Sequence, residues 1–309
     1  MIILLTDYTG VDLVTIARTD AEAATLITST IDSRDNPFIL GCTNSSMPSL
    51  AEHMATLEAT GISGSALQAA ENEWFATAGL TTYPNVVHGL LDPPAAARFA
   101  ALVNRNPRPS LIEMRTLASE LVSSQLPFFD WDLPRTREGY YRISGGCECA
   151  VSRAIAYSPF CDSLWMESKL PDYAQAVEFA EGVHAANAHA KLAYNLSPSF
   201  NWQRAMPAHE QETYIHRLAA LGYCWQFITL GGLHTTALAT DRFASAFAEH
   251  GMRAYGELVQ GPEIEACIDV VKHQKWSGAE YVDEIQRMVQ GGFSSTSAMG
   301  KGVTEDQFH

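Results

Sequence analysis

The chain has 309 residues and a formal net charge of −15, with 47% hydrophobic and 18% charged residues, which is typical of an ordinary globular protein. The acidic balance and the lack of a basic stripe exclude a nucleic-acid-binding protein. The sequence has no run of about eighteen apolar residues, so no membrane span is expected. Six cysteines are scattered along a sequence without a secretory pattern, so we expect reduced thiols in an intracellular protein.

Short runs of aliphatic and β-branched residues predict β-strands. They lie at residues 11–17, 163–166, 192–194 and 225–230. Apolar residues at helical spacing predict α-helices. They cover residues 21–27, 49–59, 63–78, 94–103, 110–122, 147–156, 171–186, 210–221, 251–271 and 279–289.

Residues 32–127 differ in character from the rest of the chain. They begin with a stretch rich in Pro, Asn and Ser and continue as short amphipathic helices without a clustered polar site. We interpret them as a helical insertion that decorates the main fold. Residues 128–143 alternate aromatic and charged side chains. Arg135, Arg137 and Arg142 could serve an anion there, but a packed return loop is favoured.

The strand spacing indicates a parallel sheet. Trp165, Tyr194 and Phe227 lie about thirty residues apart, with one helical pattern between neighbours, which is the period of a βα unit. Polar residues end the four strands: Arg18, Glu167, Asn195 and Thr229. In a (β/α)8 barrel such positions share the rim where active sites lie, although a doubly wound sheet would give a similar pattern. A turn built on Arg18 and Asp20 is the structural alternative for the first of them.

The stretch 191–202 (KLAYNLSPSFNW) is the most informative part of the sequence. After an apolar run, Asn195, Ser197 and Ser199 are spaced by two around Pro198. If the extended geometry continues, these side chains lie on one face, where two hydroxyls and an amide can hold a carboxylate. An ordinary Ser/Pro turn after a strand is the alternative.

This stretch also carries a family resemblance. NLSPSFNW, together with ARTD (17–20), WMES (165–168) and WQFITL (225–230), resembles isocitrate lyases, most closely those of fungi and plants. The resemblance runs from about Asp7 to the C-terminus. It implies a TIM-type (β/α)8 barrel of which only the C-terminal half, four βα units, has a counterpart here.

The resemblance also assigns the domains. Residues 1–31 and 128–250 would form the barrel half, and 32–127 the helical insertion that such fungal and plant proteins carry. Residues 251–309 would form a helical arm for assembly into a homo-oligomer, a tetramer in the family. A frayed tail is the alternative for this last segment.

The implied activity is the carbon–carbon cleavage of isocitrate to glyoxylate and succinate in the glyoxylate cycle, with 2-methylisocitrate cleavage as the alternative. By resemblance, Arg18 contacts the part of the substrate that becomes glyoxylate. The other substrate-binding residues would be Asn195, Leu196, Ser197, Pro198, Ser199 and Thr229. Glu167 and Phe227 would support the site. Phe227 and Thr229 match the isocitrate-specific pattern.

Several family features are absent from the sequence. No KKCGH-type loop with the family cysteine, no magnesium-carrying aspartate and no SGW loop are found. Mg²⁺ is implied as a cofactor, but its protein ligand is missing and no catalytic residue can be assigned. We therefore expect this chain to be a fragment that is inactive alone. A non-catalytic fragment that associates with full-length subunits is a further hypothesis.

The resemblance implies a peroxisomal or glyoxysomal location. The sequence ends in DQFH rather than an SKL-type address, so a cytoplasmic location stays open.

Overall fold

The computed structural model describes residues 8–123 and 125–299 of the protein. The chain divides into two compact units, one up to Thr229 and one from Leu230 onward. The domain boundaries given by the family resemblance stay predictions. Residues 1–7 and the C-terminal DQFH sequence lie outside the described residues.

Short strands and many helices make up the described residues. The strands are β1 (Ile16–Thr19), β2 (Leu26–Ile27), β3 (Leu40–Gly41), β4 (Thr81–Thr82), β5 (Tyr141–Arg142), β6 (Ser163–Met166), β7 (Leu192–Asn195) and β8 (Tyr223–Phe227). The α-helices of the first unit are α1 (Leu50–Ala59), α2 (Gly64–Ala78), α3 (Tyr83–His88), α4 (Pro93–Val103), α5 (Leu111–Leu121), α6 (Cys147–Tyr157), α7 (Tyr173–Ala186), α8 (Trp202–Ala205) and α9 (Ala208–Ala220). Those of the second unit are α10 (Gly231–His250), α11 (Met252–Tyr255), α12 (Gly261–Glu265), α13 (His273–Trp276) and α14 (Ala279–Val289). Ser33–Phe38, Ser158–Phe160 and Asp269–Lys272 are 3-10 helices, and Gly256–Gln260 is a π-helix.

The main sheet is parallel and open. Its strand order is β1-β6-β7-β8, and every neighbouring pair runs parallel. The predicted mixed α/β fold with a parallel sheet is therefore confirmed. Strands β1 and β8 are its two edges, and no closed barrel is formed by the residues described. Two short antiparallel pairs, β2 with β5 and β3 with β4, lie outside this sheet.

One face of the sheet packs against helices. Leu164, Leu192 and Tyr194 point to the same side and join one buried apolar cluster with Phe179 and Val183 of α7. Each such side chain contributes about 1.5–3 kcal/mol when it is fully removed from water. Because side chains alternate along a strand, the residues between them face the other side.

The register places functional side chains on that opposite face. Arg18 pairs with Trp165, and Asn195 pairs with Phe227. An irregularity between β7 and β8 pairs Leu192 with Tyr223 but Ala193 with Trp225, so that Cys224 is skipped. This shift brings Phe227 level with the end of β7.

Residues 32–127 have apolar clusters of their own. One joins Tyr83, Val87 and Phe99 with helix α5, and another joins Trp74 and Ala78 with α1. The first contains Phe129 as well, so it reaches past the predicted insertion.

The second unit is helical and largely exposed. Helix α10 has no buried residue. The carboxylate of Asp283 in α14 accepts hydrogen bonds from the backbone N–H groups of Ala298 (2.8 Å) and Met299 (2.7 Å). No helix among the described residues has both the length and the apolar character that spanning a membrane requires.

Two predicted elements at the start of the chain are wrong in extent or kind. Strand β1 begins at Ile16, not at residue 11, because its partner β6 begins at Ser163, opposite Ile16. Residues 21–27 form a turn followed by β2, not a helix. The carbonyl of Ala21 accepts a hydrogen bond from Gly146 N–H, and Leu26–Ile27 pairs with β5. Tertiary partners therefore take the backbone groups that a helix would use.

A capping residue at the start of α7 gives a first prediction. Asp172 accepts hydrogen bonds from the N–H groups of Ala174 (2.8 Å) and Gln175 (3.2 Å). Asp172→Ala should lower the free energy of unfolding by about 1 kcal/mol, because two donors at the helix start lose their acceptor. Urea unfolding measures this loss. Asp172→Asn is the matched control and should be nearly neutral; equal losses in both variants would contradict the capping role.

Candidate functional site

Four polar side chains form a connected row at the carboxyl ends of the parallel strands. Asn195 Nδ2 donates to Glu167 Oε1 at 3.1 Å, and Thr229 Oγ1 donates to Asn195 Oδ1 at 2.9 Å. Arg18 Nη2 lies 3.9 Å from Glu167 Oε2. The row Arg18–Glu167–Asn195–Thr229 thus takes one residue from, or just after, each of the four strands. We refer to it below as the carboxyl-edge row.

Arg18 is held on two sides. Its Nη2 and Nε donate to Asp20 Oδ1 at 2.6 and 3.1 Å, and its guanidinium carbon lies 4.4 Å from the centre of the Trp165 ring. The hydrogen bond to Asp20 raises the pKa of Arg18 further above its ordinary value. The turn pair Arg18–Asp20 is therefore formed. Within the described part of the chain, Arg18 Nη1 has no hydrogen-bond partner, which leaves a charged donor for a ligand on a side chain that is 44% exposed.

Asn195 is the link at the centre of the row. Only 8% of it is exposed, and its amide is engaged at both ends. Because Glu167 accepts and Thr229 donates, the nitrogen faces Glu167 and the oxygen faces Thr229. Loss of either partner would leave a buried polar atom unsatisfied, which costs about 1–3 kcal/mol.

The chain turns after Asn195, so the extended geometry that would align Ser197 and Ser199 with it does not continue. Ser197 Oγ accepts a hydrogen bond from Ser199 N–H at 3.2 Å, so its own O–H is left to donate. Leu196 N–H donates to the carbonyl of Phe227 at 2.8 Å and holds the turn against β8.

The two serines differ in accessibility. Ser197 is 6% exposed, whereas Ser199 lies on the surface behind Pro198. Neither hydroxyl bonds to the carboxyl-edge row in the residues that the structure describes. The predicted grip of an amide and two hydroxyls on one strand face is replaced by an amide in the row and a turn beside it.

An aromatic pair stands next to the row. The rings of Trp165 and Phe227 meet edge to face, with centroids 5.0 Å apart. Trp165 was not among the predicted site residues, although it precedes Glu167 by two positions and, in extended chain, the two side chains lie on the same side. The WMES motif contained this signal.

The other charged and nucleophilic candidates lie outside the site. The arginines of the return loop are engaged elsewhere: Arg135 packs on Tyr141 of the same loop, and Arg142 packs on Phe75 of α2. Burial raises the pKa of the Cys147 thiol to about 12 and that of Cys149 to about 11. Both thiols are therefore protonated at neutral pH and poor nucleophiles.

The same residues allow a test of whether a magnesium ion fits. Mg²⁺ prefers near-octahedral oxygen ligands, and one or two carboxylates are usual. Glu167 offers one carboxylate of this kind, but that carboxylate already accepts a hydrogen bond from Asn195 and lies beside the Arg18 guanidinium. No three His, Cys, Asp or Glu side chains in residues 8–123 and 125–299 group as they would around a metal ion. These donors do not make up a magnesium site by themselves.

Comparison with known proteins places the chain in a family. A family model described as the isocitrate lyase family matches residues 1–308. The isocitrate lyase of Kluyveromyces lactis is 50% identical over 309 residues, which cover 98% of this chain and 57% of that protein. The isocitrate lyase of Saccharomyces cerevisiae is 49% identical, with 96% and 54% covered.

A relative named for a different substrate is less similar. The mitochondrial 2-methylisocitrate lyase of Hypocrea atroviridis is 39% identical, with 98% of this chain and 55% of that protein covered. The chain spans about half the length of the curated relatives it matches. Since the family match extends over nearly the whole chain, this protein belongs to the isocitrate lyase family.

Proposed function

We propose that this chain supplies the carboxylate-binding side of an isocitrate lyase active site, in which isocitrate is cleaved to glyoxylate and succinate. The single observation that carries the proposal is the carboxyl-edge row. It joins the ends of four parallel strands, carries the charged donor Arg18, and lies at the sheet edge where α/β proteins bind ligands. Membership of the isocitrate lyase family supports the same reaction class.

We propose the following division of roles. The planar guanidinium of Arg18 suits the carboxylate of the glyoxylate part. Asn195 and Thr229 of the row would face the succinate carboxylates, and Ser197 and Ser199 would reach them from the turn beside the row. The O–H of Ser197, which donates to no group among the described residues, supports this assignment, as does Thr229, whose hydroxyl fixes the Asn195 amide. Leu196 and Pro198 would set the shape of the turn.

In the cleavage, the substrate hydroxyl loses its proton, the carbon–carbon bond breaks and its electron pair moves onto the succinate carbon. A proton then neutralises that carbon. Donors that are already oriented stabilise the developing charge without reorganising. Arg18, Asn195 and Ser197 would bind and orient the carboxylates in this step. We assign neither the base nor the acid to this chain.

The sheet would be half of a (β/α)8 barrel. Its parallel order, its helices on one face and the large apolar side chains of Trp165, Trp225 and Phe227 on the other support this architecture. Trp225 is 57% exposed on edge strand β8. Parallel sheets are almost always covered on both faces, so a further half would cover these rings.

Isocitrate is the proposed substrate rather than 2-methylisocitrate. The higher identities to the two isocitrate lyases support this choice. The aromatic ring of Phe227, which packs on Trp165 beside the row, supports it as well. An extra methyl group there would have to displace an aromatic ring, and one such group is worth about 1–3 kcal/mol of discrimination. A complete enzyme containing this chain that prefers 2-methylisocitrate would overturn the choice.

The second candidate function is association with full-length subunits. The exposed edge strands β1 and β8 favour it, since unpaired strands recruit others. The exposed apolar residues of the second unit would support a homo-oligomer, as proposed from the family. A pull-down against a full-length isocitrate lyase tests this role.

The proposed peroxisomal, glyoxysomal or cytoplasmic location is tested by fluorescence of a tagged chain.

Succinate binding by the 309-residue chain, measured by calorimetry, tests the proposed function. Thr229→Val should weaken binding about five- to tenfold, because the isosteric side chain no longer donates to Asn195, and such a bond is worth about 1 kcal/mol. Thr213→Val, which removes an exposed hydroxyl bonded to His209 O on α9, is the control and should bind normally. Equal affinities for the Thr229 variant and the parent would contradict the role of the row.

A further inference from the structure

Trp165 lies at the centre of the open sheet face. Its backbone pairs with Arg18 on one side and Ala193 on the other. The small, fully buried Ala193 lets the Trp165 ring reach across β7 to Phe227, 5.0 Å away between centroids. The opposite neighbour, Arg18, places its guanidinium 4.4 Å from the ring centre. The indole therefore lies between a charged donor and an aromatic wall.

Packing alone does not explain why a tryptophan, rather than a phenylalanine, lies at position 165. The indole Nε1–H is buried and has no hydrogen-bond partner in the described part of the chain. Leaving a buried donor unsatisfied is unfavourable, and a phenylalanine would fill much of the same space without one. What tryptophan offers over phenylalanine is a ring face that attracts cations more strongly. The cation over that face is Arg18.

We propose that Trp165 is a positioning residue that fixes the plane of the Arg18 guanidinium for carboxylate binding, a role that rests on the proposed function. Asp20 holds only one edge of the guanidinium, through Nη2 and Nε. Arg18 is partly exposed, so its long side chain would otherwise exchange among rotamers. Stacking on Trp165 restricts the plane and leaves Nη1 for the ligand. Phe227, whose ring lies perpendicular to the indole at a centroid distance of 5.0 Å, keeps the indole in place.

The stacking can be measured without any ligand. In the full chain with arginine-selective isotope labelling, Arg18 is assigned by comparison with Arg18→Lys. Its Hδ and Nε–H resonances should be shifted upfield by the indole ring current. The shift should shrink in Trp165→Phe and vanish in Trp165→Leu. Trp225→Leu removes an aromatic ring from the same sheet face, but from β8 at the opposite edge of the sheet from Arg18, and should leave the shift unchanged.

Succinate and glyoxylate titrations of the same variants supply the second readout. Trp165→Leu should weaken glyoxylate binding about two- to fivefold, as expected for a partly exposed cation–π contact, and Trp165→Phe should recover part of the loss. Amide spectra confirm that each variant is folded. If the parent binds neither acid, the proposed function fails and the ring-current shift alone decides the positioning role. Unshifted Arg18 resonances in the parent, or equal glyoxylate affinity in the parent and Trp165→Leu, would overturn it.

Discussion

Asn195→Asp is expected to weaken succinate binding about a hundredfold or more and to destabilise the fold. The change replaces the amide nitrogen, now 3.1 Å from Glu167 Oε1, with a carboxylate oxygen. Two carboxylates would then face each other in a nearly buried position, and Arg18 is already engaged by Asp20 and Glu167. An uncompensated buried charge costs about 3–5 kcal/mol. Calorimetry and urea unfolding measure the two effects.

The pH dependence of this variant follows from the sign of the interaction. Burial and the neighbouring Glu167 would raise the folded-state pKa of the new carboxyl above its unfolded value. The destabilisation relative to the parent should therefore be largest at neutral pH and shrink as the pH falls through that raised pKa. Asn201→Asp is the matched control, because Asn201 is an exposed N-cap of α8 where aspartate serves equally well. A variant at position 195 that behaves like this control would contradict the central place of Asn195.

The purified 309-residue chain is expected to self-associate and to release no glyoxylate from isocitrate in the presence of Mg²⁺. The described residues offer hydrogen-bond donors for a carboxylate, but no catalytic acid or base is assigned among them. Loss of a catalytic acid or base lowers the rate by orders of magnitude. Edge strand β8 exposes Trp225 and β1 exposes Ile16, and apolar edges pair with other strands. Light scattering and a glyoxylate assay measure both properties.

A charged residue on edge strand β8 should reduce self-association without restoring glyoxylate release. Trp225→Lys should reduce self-association, since lysine on an edge strand opposes pairing. Phe160→Lys changes an aromatic residue that is 65% exposed but lies before β6, and it should leave association unchanged. Turnover near that of a complete isocitrate lyase, or a monomeric parent, would contradict the expectation.

The periodic parts of the fold could be predicted from sequence. Strand β6 has the predicted bounds, and α14 and the parallel order also match, because continuous apolar runs and helical spacing dominate there. Residues 21–27 could not be predicted, since their backbone bonds go to residues far along the chain. Helix α10 was missed because its first two residues, Gly231 and Gly232, resemble the end of a strand unit rather than the start of a helix.

The candidate site, too, could be predicted from the sequence only in part. The positions of Arg18, Glu167, Asn195 and Thr229 at strand ends were visible in the sequence, and strand pairing brings them together. The turn at Ser197 depends on its local hydrogen bond to Ser199 N–H and could not be read from the spacing alone. The contact of Trp165 with Arg18 depends on register, which the sequence does not specify.

The central claim is that the carboxyl-edge row binds a carboxylate ligand. The most direct measurement is a succinate titration of the full chain, followed through the side-chain resonances of Asn195 and Thr229. Both should shift together and saturate with one Kd. The Asn195 response should weaken in Thr229→Val, and the Thr229 response in Asn195→Asp, in proportion to the lost affinity. Succinate shifts confined to arginines outside the row, such as Arg137, with Asn195 and Thr229 unmoved, would contradict the claim.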